Sequence, residues 1–299
     1  MLQHRHSSPI KPQRAVILGS SGFVASNLAR HFNEHQINHR VIGSKEIDLL
    51  KPQCVFELQS AIHDGDALVI TSGLTPDKGR DIGTFMKNLK MAENLASFIE
   101  CASLSQVIYI SSDSVYNGDV LPIRESSTRQ PRDLYSLMHI AREQIMKFAT
   151  AKQKTPLCIF CPCAIYGAGD THNSYGPNRF FRTALSERKI TLFGNGEEVR
   201  DHVFIEDVVQ LLNLCLQHRS EGIINAVSGT TVTFHELASK ISDLCNQDVR
   251  VEHQARESQV AHREFDVSER TKAFPSFIPT PLDDGLAKTF LKLNAMPKN

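Results

Sequence analysis

The sequence of 299 residues contains no tryptophan and no excess of charge of either sign. Lysine and arginine number 33, as do aspartate and glutamate, so the formal net charge is zero. This balance argues against general binding to nucleic acids or anionic membranes. An uninterrupted apolar run of about 18 residues, which a transmembrane helix requires, is also missing. We therefore expect a small molecule, and neither a nucleic acid nor a membrane, as the partner.

The cysteine pattern is not that of a disulfide-stapled module. The seven cysteines are odd in number and lie mostly in apolar stretches of a chain that can bury a large core. We interpret them as reduced thiols of a cytoplasmic protein. Residues 1–12 are polar and lack the apolar core of a signal peptide, so we predict a disordered N-terminal tail there.

From residue 14 onward, short β-branched runs alternate with longer helical segments, which is typical of βαβ units in a parallel sheet. The predicted strands are 14–19, 39–43, 66–71, 106–111, 157–162 and 222–226. The predicted helices are 22–35, 52–61, 80–103, 133–152, 204–218, one that begins with a Thr233–Glu236 capping box, and 281–293. Asp81 is expected to cap the third helix. The pattern predicts an α/β fold with a doubly wound parallel sheet of the Rossmann type.

A glycine turn joins the first strand to the first helix. The strand at 15–18 runs directly into the sequence GSSGFVA at 19–25. Gly19 permits the sharp turn, Gly22 lets phosphates approach the backbone, and the helix start offers unpaired N–H groups. The pattern predicts a site for the pyrophosphate of NAD or NADP. The residues assigned to this site are Gly19, Ser21, Gly22, Phe23 and Val24.

This assignment divides the chain into two predicted domains. Residues 13–166 with about 200–227 would form the NAD(P)-binding domain. The regular alternation ends after Tyr166 in a segment rich in glycine, asparagine and proline. We therefore expect about 167–199 with 228–299 to form a smaller C-terminal substrate-binding lobe.

The end of the second strand bears on the choice of cofactor. An acidic residue that would bind the ribose hydroxyls of NAD is missing, because this segment reads Gly43, Ser44, Lys45. A hydroxyl and a lysine suit the 2′-phosphate of NADP. We expect a slight preference for NADP, while Glu46 keeps NAD open and Lys45 can equally be a plain surface charge.

Several further blocks resemble the extended short-chain dehydrogenase/reductase family, in particular its nucleotide-sugar epimerases and 4-keto reductases. The matched blocks are GSSGFVA at 19–25, Asp48-Leu49, Thr71-Ser72-Gly73, Asn88, SSDSVY at 111–116, Tyr135, Tyr166-Gly167, and 192–207. The resemblance implies hydride transfer between a sugar carbon and NAD(P) on a nucleotide-diphosphate sugar, in a homodimer that pairs through the helices near 80–103 and 133–152. It also implies contact with the cofactor by Asp48, Leu49, Thr71, Ser72, Gly73, Asn88, Ser111, Tyr135 and the residue at 139.

The resemblance also implies the catalytic groups. Tyr135 would exchange the hydroxyl proton of the sugar, and Ser112 would hydrogen-bond the same oxygen. Asp113 is a second acid or a loop cap. Ser114 stands where dehydratases of the family carry a glutamate, which argues against dehydration.

One residue departs from the family pattern. A lysine is expected four residues after the tyrosine, on the same helical face, but His139 stands there. Neutral histidine would not lower the pKa of the phenol as lysine does, although it can donate to a ribose hydroxyl. Two functions therefore stay open: a reductive or slow enzyme, or a dinucleotide-binding sensor or scaffold without catalysis.

On the substrate side, the resemblance assigns Arg200 to the diphosphate, with a salt-bridged surface arginine as the alternative. Asn178, Arg179 and Arg263 are weaker assignments to the nucleotide, and Ser114 is placed beside the sugar.

We predict no metal site. Cys158, Cys161 and Cys163 fall on one buried strand whose alternation sends Cys158 to the opposite face. His31 and His35 lie one turn apart and are interpreted as the exposed face of the first helix.

Overall fold

The computed structural model describes residues 2–170, 172–245, 248–257 and 259–295. The strands are β1 Gln3–His4, β2 Ala15–Leu18, β3 His39–Ile42, β4 Ala67–Ile70, β5 Gln106–Ile110, β6 Leu157–Pro162, β7 Ala164–Tyr166, β8 Lys189–Phe193, β9 Val199–Phe204, β10 Ser220–Ala226, β11 Thr231–Thr233 and β12 Arg250–Gln254. The helices are α1 Phe23–Glu34, α2 Cys54–Ala61, α3 Ile82–Ile99, α4 Leu134–Gln153, α5 Pro177–Glu187, α6 Ile205–Gln217, α7 Phe234–Cys245, α8 Ser268–Ala273 and α9 Leu282–Ala295, with a 3₁₀ helix at Asp113–Val115.

The main sheet has seven strands in the order β1-β10-β6-β5-β4-β2-β3. All neighbours pair in parallel except β1, which pairs antiparallel with β10. The chain leaves β2 for β3 on one side and returns to β4 on the other. The carboxyl ends of β2 and β4 therefore flank a topological switch point, where doubly wound sheets bind ligands. The predicted Rossmann-type α/β fold is confirmed.

The strand sequences explain the burial of this sheet. All residues of β2, β4 and β6 are buried. Continuous apolar runs of this kind are typical of parallel strands covered on both faces. The α1–α6 pair and the group α2, α3 and α4 form the helical layers. All seven cysteines are free thiols.

Two helix starts follow their predicted capping residues. The Asp81 side chain accepts a hydrogen bond from the Thr84 backbone N–H at 2.8 Å and begins α3. Thr233 and Glu236 satisfy each other's backbone N–H groups at the start of α7. These bonds pair N–H groups that have no partner within the helix.

Beyond Tyr166 the chain builds smaller units. A three-stranded sheet has the order β11-β9-β7, and β12 pairs in parallel with β8. Helix α5 packs on α7 and β8, whereas α8 packs against β10 of the main sheet. None of the described helices is long and apolar enough to span a bilayer.

The N-terminus differs from the predicted disordered tail. Gln3 and His4 extend the main sheet as the edge strand β1. The His4 ring lies 2.9 Å from both the Ser220 hydroxyl and the Ala273 carbonyl oxygen, and Arg5 pairs with Glu221 at 2.6 Å. Edge pairing gives a polar segment backbone partners that its composition does not reveal.

Candidate cofactor and active site

The turn between β2 and α1 requires glycine at its first position. Gly19 has a φ of +120°, and a Cβ atom there would lie 2.5 Å from the Thr71 hydroxyl. Both the backbone conformation and the close approach of β4 therefore exclude a side chain. The Gly19 N–H donates to the Ile42 carbonyl at the end of β3, and this bond fixes the position of the turn that follows β2.

Gly22 is the N-cap residue of α1, and no side chain caps this helix. Its φ of −74° suits any residue, and a Cβ atom there would meet only the Gly19 carbonyl at 3.4 Å and the Ala25 Cβ at 3.9 Å. Glycine is therefore not needed here for folding. The uncapped N–H groups of the first turn, with exposed Ser21 and half-buried Val24 beside them, fit a pyrophosphate. Phe23 is buried and packs near Gly167.

The turn after β3 exposes both residues assigned to a 2′-phosphate. Ser44 and Lys45 are exposed. Glu46, the alternative ribose ligand, instead pairs with Arg40 at 2.5 Å. This ion pair leaves Lys45 as a cation beside a partly neutralised carboxylate. Asp48 is half-buried and accepts a hydrogen bond from the Leu50 N–H at 3.1 Å, and Leu49 is buried.

The switch point at the carboxyl ends of β2 and β4 defines a crevice, and the segment that follows β4 forms its floor. The Thr71 hydroxyl donates to the Leu18 carbonyl at 2.7 Å and ties β4 to β2. Asn88 holds the backbone of Leu74 from both sides, so it positions this segment from beneath. The Ser72 hydroxyl is buried without a hydrogen-bond partner among the described residues. An orphaned hydroxyl at the switch point is consistent with a bound dinucleotide.

Tyr135 and Ser112 come together at the edge of this crevice. Asp133 caps α4 by accepting from the Ser136 N–H at 2.8 Å, which places Tyr135 in the first helical turn. Ser112 follows β5 directly and caps the 3₁₀ helix that begins at Asp113. Burial raises the pKa of Tyr135 to about 12, although the nearby Ser112 hydroxyl opposes the shift. The phenol is therefore protonated at neutral pH.

His139 lies beside Tyr135, as the helical spacing predicts. The two rings meet edge to face with centroids 4.7 Å apart. Nδ1 of His139 lies 2.9 Å from the Tyr109 hydroxyl oxygen. Burial, together with the charge of Arg142, lowers the pKa of His139 to about 3. His139 is therefore uncharged at neutral pH.

Arg142 is a residue of this site that the sequence analysis missed. Its guanidinium is buried, donates to the Ser72 carbonyl at 2.7 Å and to Asn88 at 3.2 Å, and lies over the Tyr109 ring. No carboxylate pairs with it among the described residues. Its charge acts to lower the pKa of Tyr135. The sequence does carry one sign of this role: position 142 follows position 135 by seven residues, so the two side chains share a helical face.

The Ser111 hydroxyl is engaged inside the fold. Its hydroxyl donates to Glu143 at 2.6 Å, and Arg129 pairs with the same carboxylate at 2.8 Å. All three groups lie between β5 and α4. This arrangement makes Ser111 a packing residue of the described fold.

The substrate-side residues lie on several elements. Arg200 on β9 pairs with Glu198 at 2.6 Å and remains half-buried. Arg263 is buried, forms a bridge beside Arg200, and donates to the backbone carbonyls of Asp113 and Tyr116 at 3.2 and 3.0 Å. Arg263 therefore braces the loop that carries Ser112.

Asn178 and Arg179 differ in their environments. The Asn178 amide is saturated, because it accepts from the Gly167 N–H and donates to Asp170 and the Ile165 carbonyl. Arg179 is half-buried. The Ser114 hydroxyl is buried and has no hydrogen-bond partner within the described part of the chain.

The fold and the glycine turn define a dinucleotide-binding α/β protein of the Rossmann class. Residues 15–227 match the model of the NAD dependent epimerase/dehydratase family, and the chain belongs to this family. The resemblance to extended short-chain dehydrogenases/reductases is thereby confirmed.

Solved structures show the same fold at low sequence identity. A GDP-L-fucose synthetase from Naegleria fowleri bound to NADP has 14% identity and a TM-score of 0.84, and the match covers 97% of this chain and 96% of the other. The UDP-glucose 4-epimerase of Thermus thermophilus with NAD has 16% identity and a TM-score of 0.83, covering 95% and 99%. RMD from Pseudomonas aeruginosa with NADPH has 21% identity and a TM-score of 0.82, covering 95% and 98%.

Proposed function

We propose that the protein is an NAD(P)-dependent enzyme that reduces or epimerises a carbon of a nucleotide-diphosphate sugar, with Tyr135 as the acid/base. The observation that carries this proposal is the meeting of Tyr135 and Ser112 at the carboxyl edge of the parallel sheet. The glycine turn and its uncapped helix lie at the same edge. Ligands of doubly wound sheets bind there.

The bound nicotinamide would supply the hydride. Tyr135 would donate its proton to the sugar oxygen as that oxygen gains negative charge, and Ser112 would hydrogen-bond the same atom. A phenol whose pKa is raised to about 12 holds its proton at neutral pH. It is therefore better suited to reduce a carbonyl than to oxidise an alcohol, and we favour the reductive direction. Asp113 would act as a loop cap or a second acid.

The turn after β3 supports NADP over NAD. Exposed Ser44 and Lys45 suit a phosphate, and Glu46 is engaged by Arg40. Solved relatives carry NADP, NADPH or NAD, so the family accommodates both cofactors.

We assign Arg200 to the diphosphate of the substrate, and Arg179 on α5 is a second, separate candidate cation. To bind the diphosphate, Arg200 would have to give up part of its ion pair with Glu198. The Glu198 carboxylate would still be paired, because Arg256 also contacts it at 2.7 Å. We assign Arg263 and Asn178 to positioning, since their polar groups hold the loops on either side. The orphaned Ser114 hydroxyl would bind the sugar.

His139 supports a second candidate function. A neutral residue at the position of the family lysine removes a fixed charge beside the phenol. The alternative is a dinucleotide-dependent sensor or scaffold that binds the cofactor and does not turn over.

A two-step experiment tests both candidates. Thermal-shift measurements with NAD, NADP and UDP-, GDP-, CDP- and dTDP-sugars identify the ligands, because a ligand of the native state raises the melting temperature. Hydride transfer is then followed from isotopically labelled NADPH in the native chain and in Tyr135→Phe. Transfer that Tyr135→Phe abolishes, with ligand binding intact, supports the enzyme. Cofactor binding without nucleotide-sugar binding or transfer contradicts it and supports the sensor.

A further inference from the structure

The carboxyl end of α1 carries a cluster that the dinucleotide site does not use. His31, Glu34 and His35 each offer one ligand atom, and these atoms lie within 4.8 Å of one another. Positions three and four apart share a helical face. The two imidazole rings are stacked with centroids 4.1 Å apart. The cluster therefore presents two imidazoles and one carboxylate to the same volume.

The histidine rings are oriented by their own helix. Nδ1 of His35 lies 2.9 Å from the His31 carbonyl oxygen. A carbonyl only accepts, so Nδ1 of His35 carries the proton and Nε2 keeps a free lone pair. Histidine ligands of metals commonly donate their second N–H to a carbonyl in this way.

A second observation comes from the groove between α1 and α6, which the three side chains line together with Asn213. Asn213 is only 8% exposed, and its Oδ1 atom is buried without a partner among the described residues. Nε2 of His31 is unpaired in the same way. Two orphaned buried polar atoms on residues that line one groove indicate that a polar species belongs there.

We propose that His31, Glu34 and His35 bind a divalent transition cation of the zinc type. Two imidazoles, one carboxylate and a water molecule make a common tetrahedral zinc set, and Asn213 would hydrogen-bond the water. Ligand atoms around such an ion lie about 3.3 Å apart, so the exposed Glu34 and His35 side chains must converge slightly. This site departs from the prediction of no metal made from the sequence.

The surrounding charges are compatible with a cation. Arg30 pairs with Glu34 at 3.2 Å, but both side chains are about half exposed, and such pairs are weak. Glu206 across the groove is held by Lys292 at 2.5 Å, so it is not counted as a ligand. A positive ion at the carboxyl end of a helix also interacts favourably with the helix dipole.

The test is titration of the chelator-treated protein with Zn²⁺ by calorimetry, followed by the visible spectrum with Co²⁺. The parent and all variants carry Cys101→Ser, because an exposed free thiol is itself a ligand type for Zn²⁺ and would complicate the titration. We expect one ion per chain and a tetrahedral Co²⁺ spectrum. His35→Ala and Glu34→Gln should weaken binding at least about tenfold. His63→Ala, at an exposed histidine elsewhere, should leave binding unchanged.

Circular dichroism melting checks that each variant is folded, and Zn²⁺ should raise the melting temperature of the parent but not of His35→Ala. Absence of saturable binding to the parent overturns the proposal. Equal affinity in the parent and His35→Ala overturns it as well.

Discussion

The Tyr109 hydroxyl oxygen lies 2.9 Å from Nδ1 of His139, and this contact is buried between β5 and α4. His139 is therefore held as a neutral ring beside Tyr135. The positive charge of the site sits one turn further along α4, on Arg142. Its guanidinium donates a hydrogen bond to the Ser72 carbonyl, in the segment that forms the floor of the crevice. A cation thus remains near the phenol, although not at the position that the family pattern predicts.

The first prediction concerns this displaced charge. Arg142→Met should raise the pKa of Tyr135, because Arg142 acts to lower it. Each unit by which this pKa rises corresponds to about 1.4 kcal/mol and should slow alcohol oxidation at pH 7 about tenfold. The measurement is the pH profile of kcat/KM in the oxidative direction. Because the pKa of Tyr135 is already about 12, this loss should be the same at every pH in the measurable range. Arg142→Lys, which keeps a charge, should retain the activity; an equal loss in Arg142→Lys and Arg142→Met would instead indicate a purely structural role.

The second prediction concerns His139. His139→Lys should raise the rate of hydride transfer at pH 7 by restoring a charge beside the phenol. The gain should be larger in an Arg142→Met background, because two buried cations on one helical face repel each other. Single-turnover rates of the single and double variants measure the coupling. A rate that is unchanged or lower in both backgrounds would mean that His139 does not limit the rate of hydride transfer.

The sequence predicted the six parallel strands of the main sheet, seven of the nine described helices and the glycine turn, because burial and backbone geometry are local signals there. It missed β1, the short strands beyond residue 163, and helices α5 and α8. It also predicted the approach of Tyr135 to His139 through helical spacing. Arg142 was missed because its role depends on Ser72 and Asn88, which come from distant segments. The pairing of His4 at the sheet edge was not predicted for the same reason, because its partner strand β10 is distant in the sequence. Long-range partners decide whether a polar residue is exposed or buried.

The third prediction concerns cofactor choice. Lys45→Glu should weaken NADPH binding by about tenfold or more and leave NADH binding unchanged or stronger, because a carboxylate repels the 2′-phosphate and suits ribose hydroxyls. Nucleotide fluorescence titration gives both dissociation constants. Lys272→Glu is the matched control at an exposed lysine on α8. A parallel loss of both nucleotides in Lys45→Glu would contradict the assignment.

The fourth prediction concerns the homodimer that the family resemblance implies. Helices α3 and α4 pack together and expose large apolar side chains, including Met86 at 55% and Phe148 at 76%. Large apolar side chains exposed on one helix pair are typical of an interface. If these helices form the dimer, Phe148→Glu should give a monomer by light scattering. Phe56→Glu, at a phenylalanine on α2 that is 73% exposed, should not change the mass. A monomeric parent, or a dimeric Phe148→Glu, would rule this interface out.

The fifth prediction concerns stability in acid. His202 on β9 is buried, and both ring nitrogens lack a partner in the described ranges. Burial, together with the charge of Arg200, lowers its pKa to about 3. Between pH 6.5 and 3 the unfolded chain takes up a proton that the native chain does not. The free energy of unfolding should therefore have its full value above about pH 6.5 and decrease at lower pH. The decrease should be up to about 1.4 kcal/mol per pH unit for each such histidine.

The variant that isolates this effect is His202→Phe. Phenylalanine suits the site, because the ring of His202 packs against Phe234 with centroids 5.8 Å apart. The variant should remove one proton from the pH dependence and two unpaired polar atoms from the core, so its advantage over the parent should grow as the pH falls. Urea unfolding at pH 7, 6 and 5 measures this slope, with His63→Phe as the exposed control. An unchanged slope in His202→Phe would mean that native His202 is already protonated, and the acid lability would then have to come from His139, whose pKa burial also lowers to about 3.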